Sequence, residues 1–318
     1  AGKGLISRIR SIRQVARVIA HDLESQDLRP AILFGHSQLA NFFVLSRVRA
    51  LLGLKLPLIW EFNAVWGAIK VKTIRNHVAS LILRLIEWRI YKNSEAVLFQ
   101  TQSSKDFCAS IYGDTKAHKI VITNAITDTD SDETVTSRGM NRPCKVLVNG
   151  LFDPMNGLGV LVEYLEKKPS LPVEIHFYGA GPLAERLHSI SDNPRIFFHG
   201  SVSRKTMLTE YLKFDYHLIP RINNLESQLL IPSKLLESMY RGLVPIISSV
   251  KGLTEVVGPK EGLTIEPGST VAISEVLKKV AAYDQGQWAA HSTRAHKRVC
   301  DNYRWSKNYK KLSGLYQK

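Results

Sequence analysis

Short apolar runs rich in Val, Ile and Phe recur along the chain and alternate with longer segments of helical spacing. The runs fall at 31–35, 56–62, 96–101, 119–123, 145–150, 173–179, 195–200, 215–220 and 244–249. Continuous apolar stretches of this length, bounded by Gly, Pro or Asn, suit strands buried on both faces, and such strands belong to parallel sheets. Between them, 158–165, 205–212 and 234–240 carry the i, i+3, i+4 spacing of amphipathic helices. The expected fold class is α/β, with doubly wound parallel sheets that bind ligands beyond the carboxyl ends of their strands, where the strand order reverses.

One segment breaks the alternation. Residues 127–143 (TDTDSDETVTSRGMNRP) are polar and have no apolar periodicity, as expected of a linker between two sheets. The expected organisation is a first domain over 1–127, a linker over 128–142, a second domain over 143–300, and a C-terminal helix over 301–318 that packs back on the first domain. A length of 318 residues accommodates two such domains.

The composition, 44% hydrophobic and 22% charged, is that of an ordinary globular chain. Three cysteines far apart in sequence make neither a disulfide framework nor a zinc quartet. No apolar run reaches the ~18–20 residues of a membrane span. The longest candidate, 78–86, is interrupted by Arg84. A cytoplasmic protein is expected. The net charge of +15 is unevenly spread, since residues 1–92 hold 15 Lys and Arg against 5 Asp and Glu. Arg10, Arg13 and Arg17 share one face of a helix whose other face carries Ile12, Ala16, Ile19 and Leu23. That face is either a solvated cationic surface or a patch for anionic lipid headgroups, which would place the protein peripherally on the inner face of the membrane. Nucleic acid is not expected as a partner, because no finger spacing, aromatic-basic signature or recognition-helix motif accompanies the charge.

Residues 231–245 (IPSKLLESMYRGLVP) hold the most informative chemistry. Pro232 and Ser233 start a helix, Gly242 stops it, and a buried strand follows. A helix N-terminus offers free N–H groups and a positive dipole end, hence an anion site. Lys234 in the first turn has the wrong sign for that dipole unless an anion sits there. Glu237, one turn on, is placed to accept hydrogen bonds from hydroxyls attached to such an anion. The alternative is a capped surface helix with an i, i+3 Lys–Glu pair.

The string PSKLLESMYRGLVPIISS resembles the nucleotide-binding segment of glycosyltransferase family 4, in the subgroup with a Pro-Ser/Asn-Lys-hydrophobic-hydrophobic-Glu pattern. Further segments resemble the same family in order: 119–124 (KIVITN), 146–160 (VLVNGLFDPMNGLGV), 173–183 (VEIHFYGAGPL), 195–202 (RIFFHGSV) and 214–220 (FDYHLIP). The resemblance implies a GT-B fold of two Rossmann-like domains facing across a cleft. It implies a retaining transfer without metal or cofactor, from a nucleoside-diphosphate sugar to a glycan or lipid-linked acceptor, as in bacterial surface polysaccharide or glycolipid synthesis. Family frequency favours a UDP-sugar over a GDP-sugar. Glu237 matches the ribose-binding glutamate, and Ser233, Lys234 and Leu235 fall where the diphosphate lies. Gly150 matches the glycine beside that phosphate, and His199, Gly200 and Ser201 fall near the nucleobase. His36, in Gly35-His36-Ser37, matches a strand-end histidine that touches donor sugar or acceptor. With Glu237 and Lys234 it completes the expected catalytic set. Glu61 and Asn63 are the expected acceptor contacts.

The sequence departs from the family pattern in three places. Leu151 and Asn156 stand where many members carry Arg and Lys, so Lys234, Arg204 or Arg221 is expected to supply the missing counter-charge. Leu229 stands where a second glutamate is common, and Glu226 is its candidate replacement. The chain also reaches the His36 strand without the earlier strands usual in the family, so an N-terminally shortened first domain is expected. These departures keep open an alternative, a non-catalytic nucleotide- or glycan-binding relative or a scaffold of a membrane-associated glycan-assembly complex.

Overall fold

The computed structural model describes residues 5–27, 30, 32–36, 39–53, 55, 57–62, 74–127, 138–154, 157–167 and 169–316. The chain forms two compact units, Ala1–Ile122 and Thr123–Lys318.

In the first unit the order is α1 (Leu5–Ser25), β1 (Leu33–His36), α2 (Leu39–Leu52), β2 (Leu58–Phe62), α3 (Ile74–Asn93), β3 (Ala96–Phe99), α4 (Gln102–Tyr112) and β4 (His118–Val121). The strands pair in parallel in the order β1-β2-β3-β4. Residues of β3 are all buried, as the continuous apolar run predicts. On α1, Ala16 and Ala20 face inward while Arg10, Arg13 and Arg17 are exposed. The apolar run 78–86, with Arg84 in it, lies within α3. No described helix is long and apolar enough to cross a membrane.

The second unit runs β5 (Lys145–Leu151), α5 (Leu158–Glu166), β6 (Glu174–Ala180), α6 (Ala184–His188), β7 (Ile196–Phe198), α7 (Arg204–Glu210), β8 (Tyr216–Ile219), α8 (Leu225–Leu229), α9 (Ser233–Tyr240), β9 (Val244–Ser248), α10 (Lys251–Thr254), β10 (Leu263–Ile265), α11 (Thr270–Ala282), α12 (Gln285–Asn302) and α13 (Trp305–Tyr316). Among the described residues its six strands are parallel in the order β10-β9-β8-β5-β6-β7. The first strand of the unit, β5, therefore lies between β6 and β8. The chain winds outward one way through β6 and β7, then the other way through β8, β9 and β10. The carboxyl ends of β5 and β8 flank that reversal. Residues of β8 and β9 are buried throughout. Edge strand β10 has only three residues, too few to show a pattern in the sequence.

Residues 128–137 of the expected linker lie outside the described residues, while 138–142 are bonded to the second unit. Asn141 donates through its backbone (3.1 Å) and side chain (2.9 Å) to the buried Asp215 carboxylate, and Arg138 sits over the Trp288 ring. A buried acceptor that needs donors draws in these polar residues, which the sequence pattern alone shows only as non-periodic. Residues 123–127, assigned from sequence to the first domain, belong to the second unit. There Ile126 bridges to Arg304, and Asn308 of α13 donates to the Thr123 carbonyl oxygen at 2.7 Å.

Candidate functional site

The switch point of the second sheet gathers Gly150, Arg204, Arg221, Lys234 and Glu237 of the residues singled out in the sequence. Helix α9 begins at Pro232, which provides no side-chain cap. Its neighbours α7 and α8 are closed by Ser203 and Asn224, which accept from Thr206 N and Ser227 N. At α9 the Leu235 N–H turns back to the Pro232 carbonyl oxygen at 3.1 Å, while the Leu235 side chain is fully buried. Ser233 and Lys234 thus form the open end of the helix, where the first amides carry the positive end of the dipole.

From this turn Lys234 reaches β5, where Nζ donates to the carbonyl oxygen of Asn149. Gly150, the next residue, has φ +115°, and a Cβ there would lie 2.9 Å from Lys234 Nζ. Glycine at this position therefore admits both the backbone conformation and the lysine. Its register partner on β6 is Gly179. There φ is +149° and a Cβ would stand 1.9 Å from the Gly150 carbonyl oxygen. Gly179 N in turn donates to the Gly200 carbonyl oxygen at 2.8 Å. Three glycines thus form a shelf without side chains across the carboxyl ends of β5, β6 and β7.

The site carries excess positive charge. Burial pushes the Lys234 ammonium down to about 8, and the nearby Arg221 guanidinium adds to the shift by repulsion. Arg221 follows β8, its backbone N–H held by Ser248 Oγ at 2.8 Å. Burial lowers its pKa as well, and Glu226 opposes that shift. Two desolvated cations side by side favour a bound anion, which would stabilise the charged form of both.

One turn along α9, the Glu237 carboxylate accepts from Arg204 Nε and Nη2, each at 2.8 Å. Arg204, an expected counter-charge for a diphosphate, is thus paired with Glu237 in this structure. Position 229 is a leucine only 5% exposed and directed into the core, while the exposed Glu226 is the acid close to Arg221. Leu151 is 60% exposed beside the shelf.

His199, Gly200 and Ser201 follow β7 and are exposed. The His199 ring stacks on Tyr178 with centroids 4.2 Å apart, and its Nε2 lies 3.0 Å from His176 Nδ1. Burial draws His176 down to about 4, which keeps that imidazole neutral. His199 therefore presents a supported aromatic face as well as its backbone. Asn156 lies outside the described residues.

In the first unit His36 ends β1 in register with Glu61 on β2, so the parallel pairing brings the two positions together at one sheet edge. The His36 side chain and all of Asn63 lie outside the described residues. Glu61 is half-buried. Among the described residues no three His, Cys, Asp or Glu side chains converge to hold a metal ion.

Three residues at the switch point escaped the sequence reading: Asn149, Tyr211 and His217. Asn149 and His217 each break an apolar strand with a polar side chain, and that interruption is the signal that could have revealed them.

Residues 144–282 match the family model described as Glycosyl transferases group 1. The segment is similar to that domain over less than half of the chain. It contains every switch-point residue described above. No curated protein matches the chain significantly. Among solved structures, sucrose-phosphate synthase from Thermosynechococcus elongatus is similar with a TM-score of 0.72 at 16% identity, over 97% of this chain and 79% of that one. HepE from Anabaena, in complex with UDP and glucose, gives 0.71 at 12% identity over 99% and 83%. A glycosyltransferase from Rickettsia africae gives 0.71 at 13% identity over 100% and 82%. At such identities the likeness is one of fold. It is the GT-B class, two Rossmann-like parallel-sheet domains, with the segment that matches the family model in the second.

Proposed function

We propose that the protein is a retaining glycosyltransferase of the family 4 type, moving a sugar from a nucleoside-diphosphate sugar to a glycan or lipid-linked acceptor. The supporting observation is the pair of desolvated cations, Lys234 and Arg221, beside the side-chain-free edge at Gly150, with Glu237 one turn further along α9. Phosphate and vicinal hydroxyls on one ligand satisfy all three at once. UDP is the preferred base-bearing half, in keeping with HepE, whose structure contains UDP. Ser233 and Lys234 meet the diphosphate, Gly150 borders it, and His199, Gly200 and Ser201 take the base. His36, Glu61 and Asn63 serve the acceptor side.

In this reading the bond between the sugar and the diphosphate breaks while the acceptor hydroxyl attacks from the face the phosphate leaves. Charge grows on the departing diphosphate. Lys234, Arg221 and the open end of α9 are fixed where that charge develops, which lowers the barrier without a rearrangement of solvent. No metal is required in this scheme, so EDTA should leave turnover unchanged.

An anionic membrane surface is the proposed setting of the acceptor, with the protein peripheral on its cytoplasmic side. Exposed Arg10, Arg13 and Arg17 on α1, and exposed Leu81, Ile82, Leu85 and Trp88 on α3, support it. Sedimentation with anionic vesicles should weaken as salt rises.

Calorimetric titration with UDP, GDP and ADP tests the donor site. Saturable binding of one diphosphate is expected, and silence from all three would overturn the reading. The non-catalytic alternative draws on Leu151 and Leu229, which occupy positions where the family resemblance places charge. Tight UDP binding with no turnover of any UDP-sugar would select it.

A further inference from the structure

Glu174, His176 and Tyr178 alternate along β6 and so project from one face of the sheet, beside Phe197 and His199 of β7. The rings meet across the two strands. Phe197 stacks on His176 with centroids 4.5 Å apart, and His199 stacks on Tyr178 at 4.2 Å. Tyr178 is itself anchored, because its hydroxyl donates to Glu210 Oε2 at 2.7 Å. His199 is also held at its edge. Its ring lies within 8° of the His176 plane, with centroids 5.3 Å apart and Nε2 3.0 Å from His176 Nδ1. Parallel rings at that spacing, with nitrogens that close, meet edge to edge in a hydrogen bond.

The proton in that bond has a fixed place. His176 Nε2 lies 3.4 Å from the Glu174 carboxylate, which only accepts, so Nε2 carries the His176 proton. His176 is neutral, as burial draws it down to about 4, and its Nδ1 is therefore bare. That bare nitrogen accepts from His199 Nε2. Burial lowers His199 as well, so above about pH 7 this ring too has a single proton, on Nε2. What remains is His199 Nδ1, a bare acceptor on an exposed ring, with no hydrogen-bond partner among the described residues. The main chain beside it is already engaged in the sheet. His199 N donates to the Phe177 carbonyl oxygen at 2.9 Å, and the Gly200 carbonyl oxygen accepts from Gly179 N at 2.8 Å.

We infer that His199 determines which nucleobase is taken, its Nδ1 accepting the imino N–H of uracil and disfavouring cytosine, whose ring nitrogen at that position is itself a bare acceptor. Two acceptors facing each other leave both unpaired, which costs more than a hydrogen bond gains. Glu174 and His176 are positioning residues that fix the His199 tautomer. The inference rests on the donor site proposed above and deepens it at the base.

The test is calorimetric titration with UDP and CDP at about pH 8, where both rings are neutral. Wild-type protein should prefer UDP by about tenfold or more. Glu174→Gln keeps the shape of the side chain but supplies an amide that donates as well as accepts, which releases the direction of the relay. In that variant the preference should shrink by about threefold or more, through weaker UDP binding with CDP undiminished. A wild type that binds UDP and CDP alike, or a variant that keeps the full preference, would overturn the inference and spare the donor site. A wild type that binds neither would overturn the donor site and the inference with it. Nitrogen-15 shifts of the wild-type His199 ring give a measurement independent of any variant. Protonated Nε2 with bare Nδ1 supports the assignment, and the reverse tautomer overturns it.

Discussion

Lys234 donates to the carbonyl oxygen of Asn149, 85 residues earlier in the chain, and so fixes a desolvated cation at the carboxyl end of β5. The contact joins the first turn of α9 to the strand beside the switch point. Burial of the ammonium next to Arg221 disfavours its charged form, a conflict that a bound anion would relieve.

That conflict predicts opposite effects on stability and binding. Lys234→Met should raise the Tm of the free protein by a few degrees and weaken UDP by at least about tenfold, the size of a lost charge-assisted bond. The pH dependence has a definite sign. Between about 8, where the folded ammonium titrates, and the ordinary 10.5, the unfolded chain binds more protons. Stability of the wild type should therefore gain a rising contribution across that window, and the variant should lack it. UDP affinity should fall above pH 8, where binding must first protonate Lys234. Scanning calorimetry and titration from pH 7 to 10 read both trends.

The glycine shelf predicts a graded series. Gly179→Ala drives a Cβ to 1.9 Å from a backbone oxygen and should abolish folding. Gly150→Ala meets only the movable end of Lys234, so the protein should fold, destabilised by about 1–3 kcal/mol of backbone strain, with UDP binding lost. Gly200→Ala meets nothing within 4 Å and strains only its φ of +68°, a cost of about 1 kcal/mol. Soluble yield and urea midpoints rank the three.

Glu237 and its partner should separate in effect. Glu237→Ala should weaken UDP by roughly 1.5–3 kcal/mol. Arg204 is 70% exposed, and its ion pair is worth about 0.2–1 kcal/mol as surface pairs are. Arg204→Ala should therefore alter UDP affinity less than fivefold or so. Comparable losses from the two variants would place Arg204 in the binding machinery.

His36→Ala should reduce sugar transfer and leave UDP affinity intact, because β1 belongs to the first unit and the cation pair to the second. Parallel measurement of turnover and Kd checks it. Loss of both together would make His36 a residue of structure.

Much of the fold was legible because burial leaves a local trace. The strand at Val244–Ser248 is apolar on both faces in sequence and buried on both faces in the structure. The start of α9 was equally plain, since Pro, Ser and Lys before an apolar stripe are local signals. Strand β10 was not visible, as three residues acquire strand geometry only by pairing with β9. Nor was the end of the expected linker, 138–142, where Asn141 is held by the buried Asp215 carboxylate and Arg142 by the carbonyl oxygens of Ala281 and Tyr283, all distant in sequence.

The chain by itself determined which segments are strands and helices, and which residue types stand at the helix start, because those follow from short-range periodicity and steric preference. Tertiary structure decided who meets whom. Only the strand order sets Asn149 between Lys234, Tyr211 and His217, and only the packing of α7 beside α9 gives Glu237 to Arg204. Hydrogen bonds between residues dozens of positions apart depend on how the sheet is wound, and winding is a property of the whole unit that no local pattern carries.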